Sequence, residues 1–137
     1  MIQLITALLS GAIVYAVSVM YAGIGKTYTE RAGIMNLGVE GIMLVGGVTG
    51  CLVASKTHNL LLALLAVLGV GAAFGLVFAF LTVTLQSDQT VCGMAMLVFG
   101  TGLSGFLGKE IASKPLPIKF AKIAIPGLSK IPVIGEI

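Results

Sequence analysis

Four long apolar stretches, almost free of charge, constrain this chain more than any other feature. Residues 1–25 contain no Asp, Glu, Lys or Arg. A bilayer crossing takes about 20 apolar residues, so this stretch predicts a helix over 2–23. A cleaved signal peptide would carry a basic start and a shorter apolar core. Neither is present, and the segment is read as a retained helix. A second apolar segment covers 32–54 and a third covers 60–85, the latter charge-free and long enough to cross with tilt. The fourth, 90–108, is shorter and rich in glycine, with Gly93, Gly100, Gly102 and Gly105. A crossing is expected there. A broken or re-entrant helix is the alternative, tolerated only where protein covers the backbone.

Composition agrees. Only 9% of the 137 residues are charged and 58% are hydrophobic, with a mean hydropathy of +1.12. Soluble domains carry roughly 25% charged residues, so water is the wrong solvent for most of this surface. The expected fold is all-α: one polytopic membrane domain over 1–137, a helical bundle of about four transmembrane segments. The bilayer itself is the first expected partner. The lysines stand in no base-stacking or groove-reading context, so no nucleic acid is expected.

Within the second segment, Asn36 and Glu40 interrupt apolar material. Four apart, they would share one face if both were helical. A carboxylate entering hydrocarbon is costly and belongs in a cavity, against a partner or in the bundle interior. The competing reading leaves Glu40 solvated at the membrane boundary. Glycine surrounds the pair at Gly33, Gly38 and Gly41 and recurs as Gly46 with Gly50 and Gly71 with Gly75. Such small-residue spacing is expected to serve close helix packing.

The polar connections carry little chemistry. Gly25-Lys26-Thr27 imitates the end of a phosphate-binding loop, but that motif needs Gly where this chain has Met20. Nucleotide binding by this chain is rejected, and Lys26, Thr27, Thr29, Glu30 and Arg31 are read as a polar turn. His58, the single histidine, sits in a loop with no catalytic partner nearby. Cys51 and Cys92 have neither a redox nor a zinc spacing and are read as packing residues. No nucleophile–base pair, carboxylate dyad or metal cluster stands out, so no catalytic residue, metal or cofactor is expected. From Lys109 onward, lysines alternate with Pro115, Pro117, Pro126 and Pro132. Prolines at that density forbid one helix. Residues 109–137 are expected to form an interfacial loop, with a short amphipathic piece near 118–125.

The run Glu30-Arg31-Ala32-Gly33-Ile34-Met35-Asn36-Leu37-Gly38-Val39-Glu40-Gly41-Ile42-Met43-Leu44 resembles a hallmark of the permease subunits of bacterial ABC importers. These are the permeases for simple sugars, nucleosides and, more distantly, branched-chain amino acids. Asp88-Gln89-Thr90-Val91-Cys92-Gly93 resembles the sugar/nucleoside branch's turn into its next helix. The stretch from Ile125 to Gly135 resembles its twice-repeated Ile-Pro motif. The resemblance implies a multi-pass protein of the bacterial cell membrane that forms part of a translocation pathway. Its implied partners are an ATP-binding cassette ATPase, a second permease subunit and an extracytoplasmic solute-binding protein or lipoprotein. It also implies that the second helix lines the pathway near the midplane, with Asn36 and Glu40 as candidate pathway residues.

Permeases of this family are about twice as long. The chain is therefore expected to be an N-terminal portion, from a truncated frame, a split gene or a fragment, and not to transport alone. The family pattern puts Lys26, Arg31 and Asp88 on the cytoplasmic side. Counting basic residues points the other way, with Lys56, Lys109, Lys114, Lys119, Lys122 and Lys130 opposite. Several of those lie far from a membrane end, and the family pattern is followed. The rival function is a small structural membrane protein that self-associates through its glycine faces.

Overall fold

A computed structural model describes residues 2–109 and residue 111. The tail expected to be interfacial, its amphipathic piece and the Ile-Pro motif lie outside the described residues apart from Lys109 and Ile111. Among the described residues, four helices are long and apolar enough to cross a membrane. They are α1 (Ile2–Arg31), α2 (Val39–Thr57), α3 (Leu60–Ala79), which runs on as a π-helical turn over Phe80–Thr84, and α4 (Gln89–Gly108). Residues Lys26–Phe120 form one compact unit, and Met1–Gly25 falls in another.

In Met1–Gly25, α1 is apolar on every side. Leu4, Leu8, Val19 and Tyr21 are all exposed, as suits a helix whose solvent is hydrocarbon. The helix does not end at residue 23 as expected; it runs on to Arg31. The polar residues 26–31 are adequate helix formers. Lys26 and Glu30 approach to 3.8 Å at the i,i+4 spacing, and Arg31 in the last turn suits the helix dipole. At 30 residues, α1 is about 45 Å long. That exceeds the ~30 Å hydrocarbon layer, so its polar end need not lie in lipid.

Gly33 then stops the helix. Its φ of +79° is strained for any residue with a Cβ. Its amide donates to Glu30 O, and Ile34 N–H reaches back to Thr29 O at 3.0 Å. This is the Schellman pattern of a helix C-terminus.

The second helix starts at Val39, seven residues later than the apolar run alone suggests. Residues 32–38 are a non-helical connection. α2 closes on His58, an exposed residue in left-handed conformation whose amide donates to Ala54 O. Asn59 at once caps α3, its Oδ1 accepting from the amides of Leu61 and Leu62. Two residues thus turn the chain back, and α2 and α3 pack as an antiparallel pair. After the π-helical turn, Gln86 takes a left-handed conformation. Asp88 caps α4 by accepting from Thr90 and Val91 N–H. α4 is continuous, so the broken or re-entrant alternative for the fourth segment does not describe it.

The unit's core lies where the start of α2, the end of α3 and the first half of α4 meet. Phe78, Cys92 and Met96 are buried together there, with Ile34, Ile42, Phe74 and Leu81 packed around them. Cys92 is a small packing residue. Elsewhere large apolar side chains point outward, which fits a bundle whose outer surface faces lipid.

Candidate functional site

The hallmark stretch builds its site from the connection upward. Asn36 is buried, but it is not on a helix. The expected shared helical face with Glu40 does not form, because Gly33 ends α1 and helix resumes only at Val39. Asn36 instead makes an Asx turn: its Oδ1 accepts from Gly38 N–H at 2.9 Å. Gly38, the first cap position of α2, has no side chain of its own to use. Asn36 therefore satisfies one of the donors that a helix start leaves open.

Glu40 lies in the first turn of α2 and is exposed. A carboxylate there is favoured by the helix dipole. Among the described residues nothing pairs with it. A 19-residue α2 spans about 28 Å, so Glu40 stands at one end of the span.

One stripe of α4 receives this connection. Gln89, Gly93, Met96 and Gly100 recur at spacings of four, three and four, which places them on one helical face. Gln89 reaches the connection from both ends of its carboxamide. Its Oε1 accepts from Met35 N–H at 2.7 Å, and its Nε2 donates to Gly33 O at 3.3 Å. Below it, a Cβ on Gly93 would lie 2.9 Å from the backbone nitrogen of Leu37. One on Gly38 would lie 2.7 Å from Met96 Cβ, and one on Gly41 would lie 2.6 Å from Met96 O. A Cβ on Gly100 would come within 2.5 Å of Gly41 O. Real Cβ atoms do not approach so closely, so only glycine lets the two backbones meet.

The remaining glycines divide. Gly46 and Gly50 form a notch for Val67 of α3: a Cβ added at each would lie 3.5 and 3.0 Å from its methyl groups. Gly71 and Gly75, expected to pack, meet nothing within 4 Å among the described residues. Gly33, grouped with them from the sequence, also has open space around it and serves as the α1 stop. Sequence reasoning missed the role of Gln89 and of the Gly93–Gly100 pair. The signal was available in their spacing along α4, but their partners are distant, 54 positions away for Gln89 and Met35.

A concavity of about 300 Å³ lies between the end of α3 and α4 and is lined by Phe74, Val77, Leu81, Cys92, Ala95, Met96 and Phe99. The rings of Phe74 and Phe99 are 6.1 Å apart and tilted. Its lining is almost wholly apolar and offers a polyol or a nucleobase nothing to hydrogen-bond. Among the described residues no group of His, Cys, Asp or Glu could hold a metal.

Comparison with known proteins places these features in context. The family model described as branched-chain amino acid transport system / permease component matches residues 8–127. The chain is 34% identical to the guanosine ABC transporter permease protein NupQ of Bacillus subtilis, over 99% of this chain and 46% of the relative. It is 35% identical to a Haloferax volcanii protein whose name assigns it to glucose ABC transport, the permease TsgC13, over 94% of this chain and 40% of the relative. The nucleoside ABC transporter permease protein NupC of Lactococcus lactis is 28% identical, over 95% and 44%. The chain thus spans less than half the length of the curated relatives it matches. No solved structure matches it significantly.

Proposed function

Since the chain belongs to the family of permease components typified by branched-chain amino acid transport systems, we propose that it forms part of an ABC-importer permease for nucleosides or simple sugars. It is a multi-pass integral protein of the plasma membrane. The reading is carried by one observation. The hallmark run of Glu30 to Leu44 folds into the end of α1, the connection and the start of α2, the last two seated by backbone contact on α4.

In this proposal the chain has no catalytic site. ATP hydrolysis comes from a partner ATPase, solute arrives from an extracytoplasmic binding protein, and a second permease subunit completes the conduit. The end of the bundle that carries Glu30, Arg31, Asp88 and Gln89 faces the cytoplasm. The bond between Gln89 and Met35 supports placing those two connections on one side. Of the two candidate pathway residues, Asn36 already spends its carbonyl oxygen on Gly38. Glu40 keeps a carboxylate available to a sugar or ribose hydroxyl or to a neighbouring subunit. The polar contacts that fix a solute come largely from helices beyond this chain, since the apolar groove of α3 and α4 has none to give.

Affinity purification of the tagged chain from its own membranes tests the assembly. An ATP-hydrolysing subunit is expected to co-purify; a homo-oligomer without one would support the self-associating structural protein instead. In the assembled transporter, Glu40→Gln is expected to reduce uptake of labelled guanosine or glucose at an unchanged membrane level. Full uptake at that level would remove Glu40 from the pathway.

A further inference from the structure

We infer that Gln89 is a positioning residue, a two-pronged latch that fixes the conformation of the α1–α2 connection and with it the seat of Asn36. A carboxamide carries a donor and an acceptor on one rigid plane. The connection offers the complementary pair: Met35 N–H, 2.7 Å from Gln89 Oε1, and Gly33 O, 3.3 Å from Nε2. Both of these backbone groups lie outside any helix, so no ladder hydrogen bond would hold them in place. Gly33 is the residue whose positive φ turns the chain out of α1, and Met35 directly precedes Asn36. The latch thus grips the residues on either side of Ile34, directly before the turn that joins Asn36 to Gly38.

Gln89 is itself held. It is the first residue of α4, immediately after the Asp88 cap, and it heads the stripe whose Gly93 receives Leu37. Latch and glycine bed together make the connection, the start of α2 and the first half of α4 one mechanical piece. The bearing of that piece on transport rests on the proposed function; the latch itself does not.

Residue-resolved amide hydrogen exchange on the detergent-solubilised full chain tests it. Gln89→Leu keeps the bulk and removes both prongs. Gln89→Glu keeps the acceptor, and an acidic side chain in the first turn leaves α4 unharmed. The latch predicts that Met35 exchange rises about threefold to tenfold in Gln89→Leu, the scale of one net hydrogen bond. It predicts a smaller rise in Gln89→Glu, whose carboxylate still accepts from Met35 N–H but sets an acceptor against Gly33 O where the donor was, with α3 amides unchanged in both. If Gln89 only fills space, Leu protects Met35 as well as Gln does, and the inference falls. It also falls if both variants raise Met35 exchange equally. Asp88→Ala, which removes the α4 cap alone, should leave Met35 protected; loss of protection there would assign the effect to the cap. Uptake measured on the same variants in the assembled transporter is a separate arm. A wild-type chain that supports no uptake overturns the transport reading and leaves the exchange result standing.

Discussion

The α2–α4 contact and the α2–α3 contact draw on the same kind of residue and close in different ways. Against α4, glycine meets backbone: Gly41 and Gly100 face each other so closely that neither tolerates a Cβ. Against α3, glycine meets a side chain: Gly46 and Gly50 accommodate the branched end of Val67. A backbone cannot step aside, whereas a valine can shift by tenths of an ångström. On α3 itself, a Cβ added at Gly71 or Gly75 would meet nothing within 4 Å among the described residues. Glycines four apart therefore announce that an approach is permitted, not that one occurs. The α2–α3 pair is joined by a tight turn, where His58 and Asn59 close one helix and open the next.

The largest expected effect tests the backbone contact. Gly100→Ala puts a Cβ 2.5 Å from Gly41 O and 2.7 Å from Gly41 Cα. Alanine favours a helix by up to about 1 kcal/mol over glycine, but overpacking against backbone costs roughly 3 kcal/mol. Unfolding of the purified chain in mixed micelles should shift accordingly, and an unshifted curve would break the comparison. Next comes the turn. Asn59→Ala removes the two bonds that start α3 and should cost about 1 kcal/mol in the same titration, with the α4 contact intact. The smallest change has the opposite sign. Gly75→Ala meets open space and should stabilise the isolated chain by about 0.5–1 kcal/mol through helix propensity. If the same substitution destabilises the assembled complex, a neighbouring helix covers that stripe there, which sharpens the contrast between the two faces.

Much of this architecture was readable in advance. The four spans and the all-α class follow from apolar run length. The family was legible in the run from Glu30 to Leu44. The helix boundaries were legible only in part. α1 continues through Lys26 and Glu30 because nothing in that polar stretch breaks a helix, and α2 starts late because Gly33 takes a positive φ. The site suffered most from that error. Treating residues 32–54 as one helix put Asn36 and Glu40 on a common face, whereas Asn36 is a buried turn residue and Glu40 an exposed one on the helix.

The chain by itself determined its solvent. Transfer of side chains from water to hydrocarbon is close to additive along a segment, so counting residues in a window is enough. The roles of Gln89, Gly93 and Gly100 were decided only in the folded bundle. Each is defined by a backbone group of a distant segment, and no local spacing records which segment will arrive there. Gln89 is polar beside an apolar run in the one-dimensional view. In three dimensions it is the residue that meets Gly33 and Met35, because α2 and α4 come together through glycine.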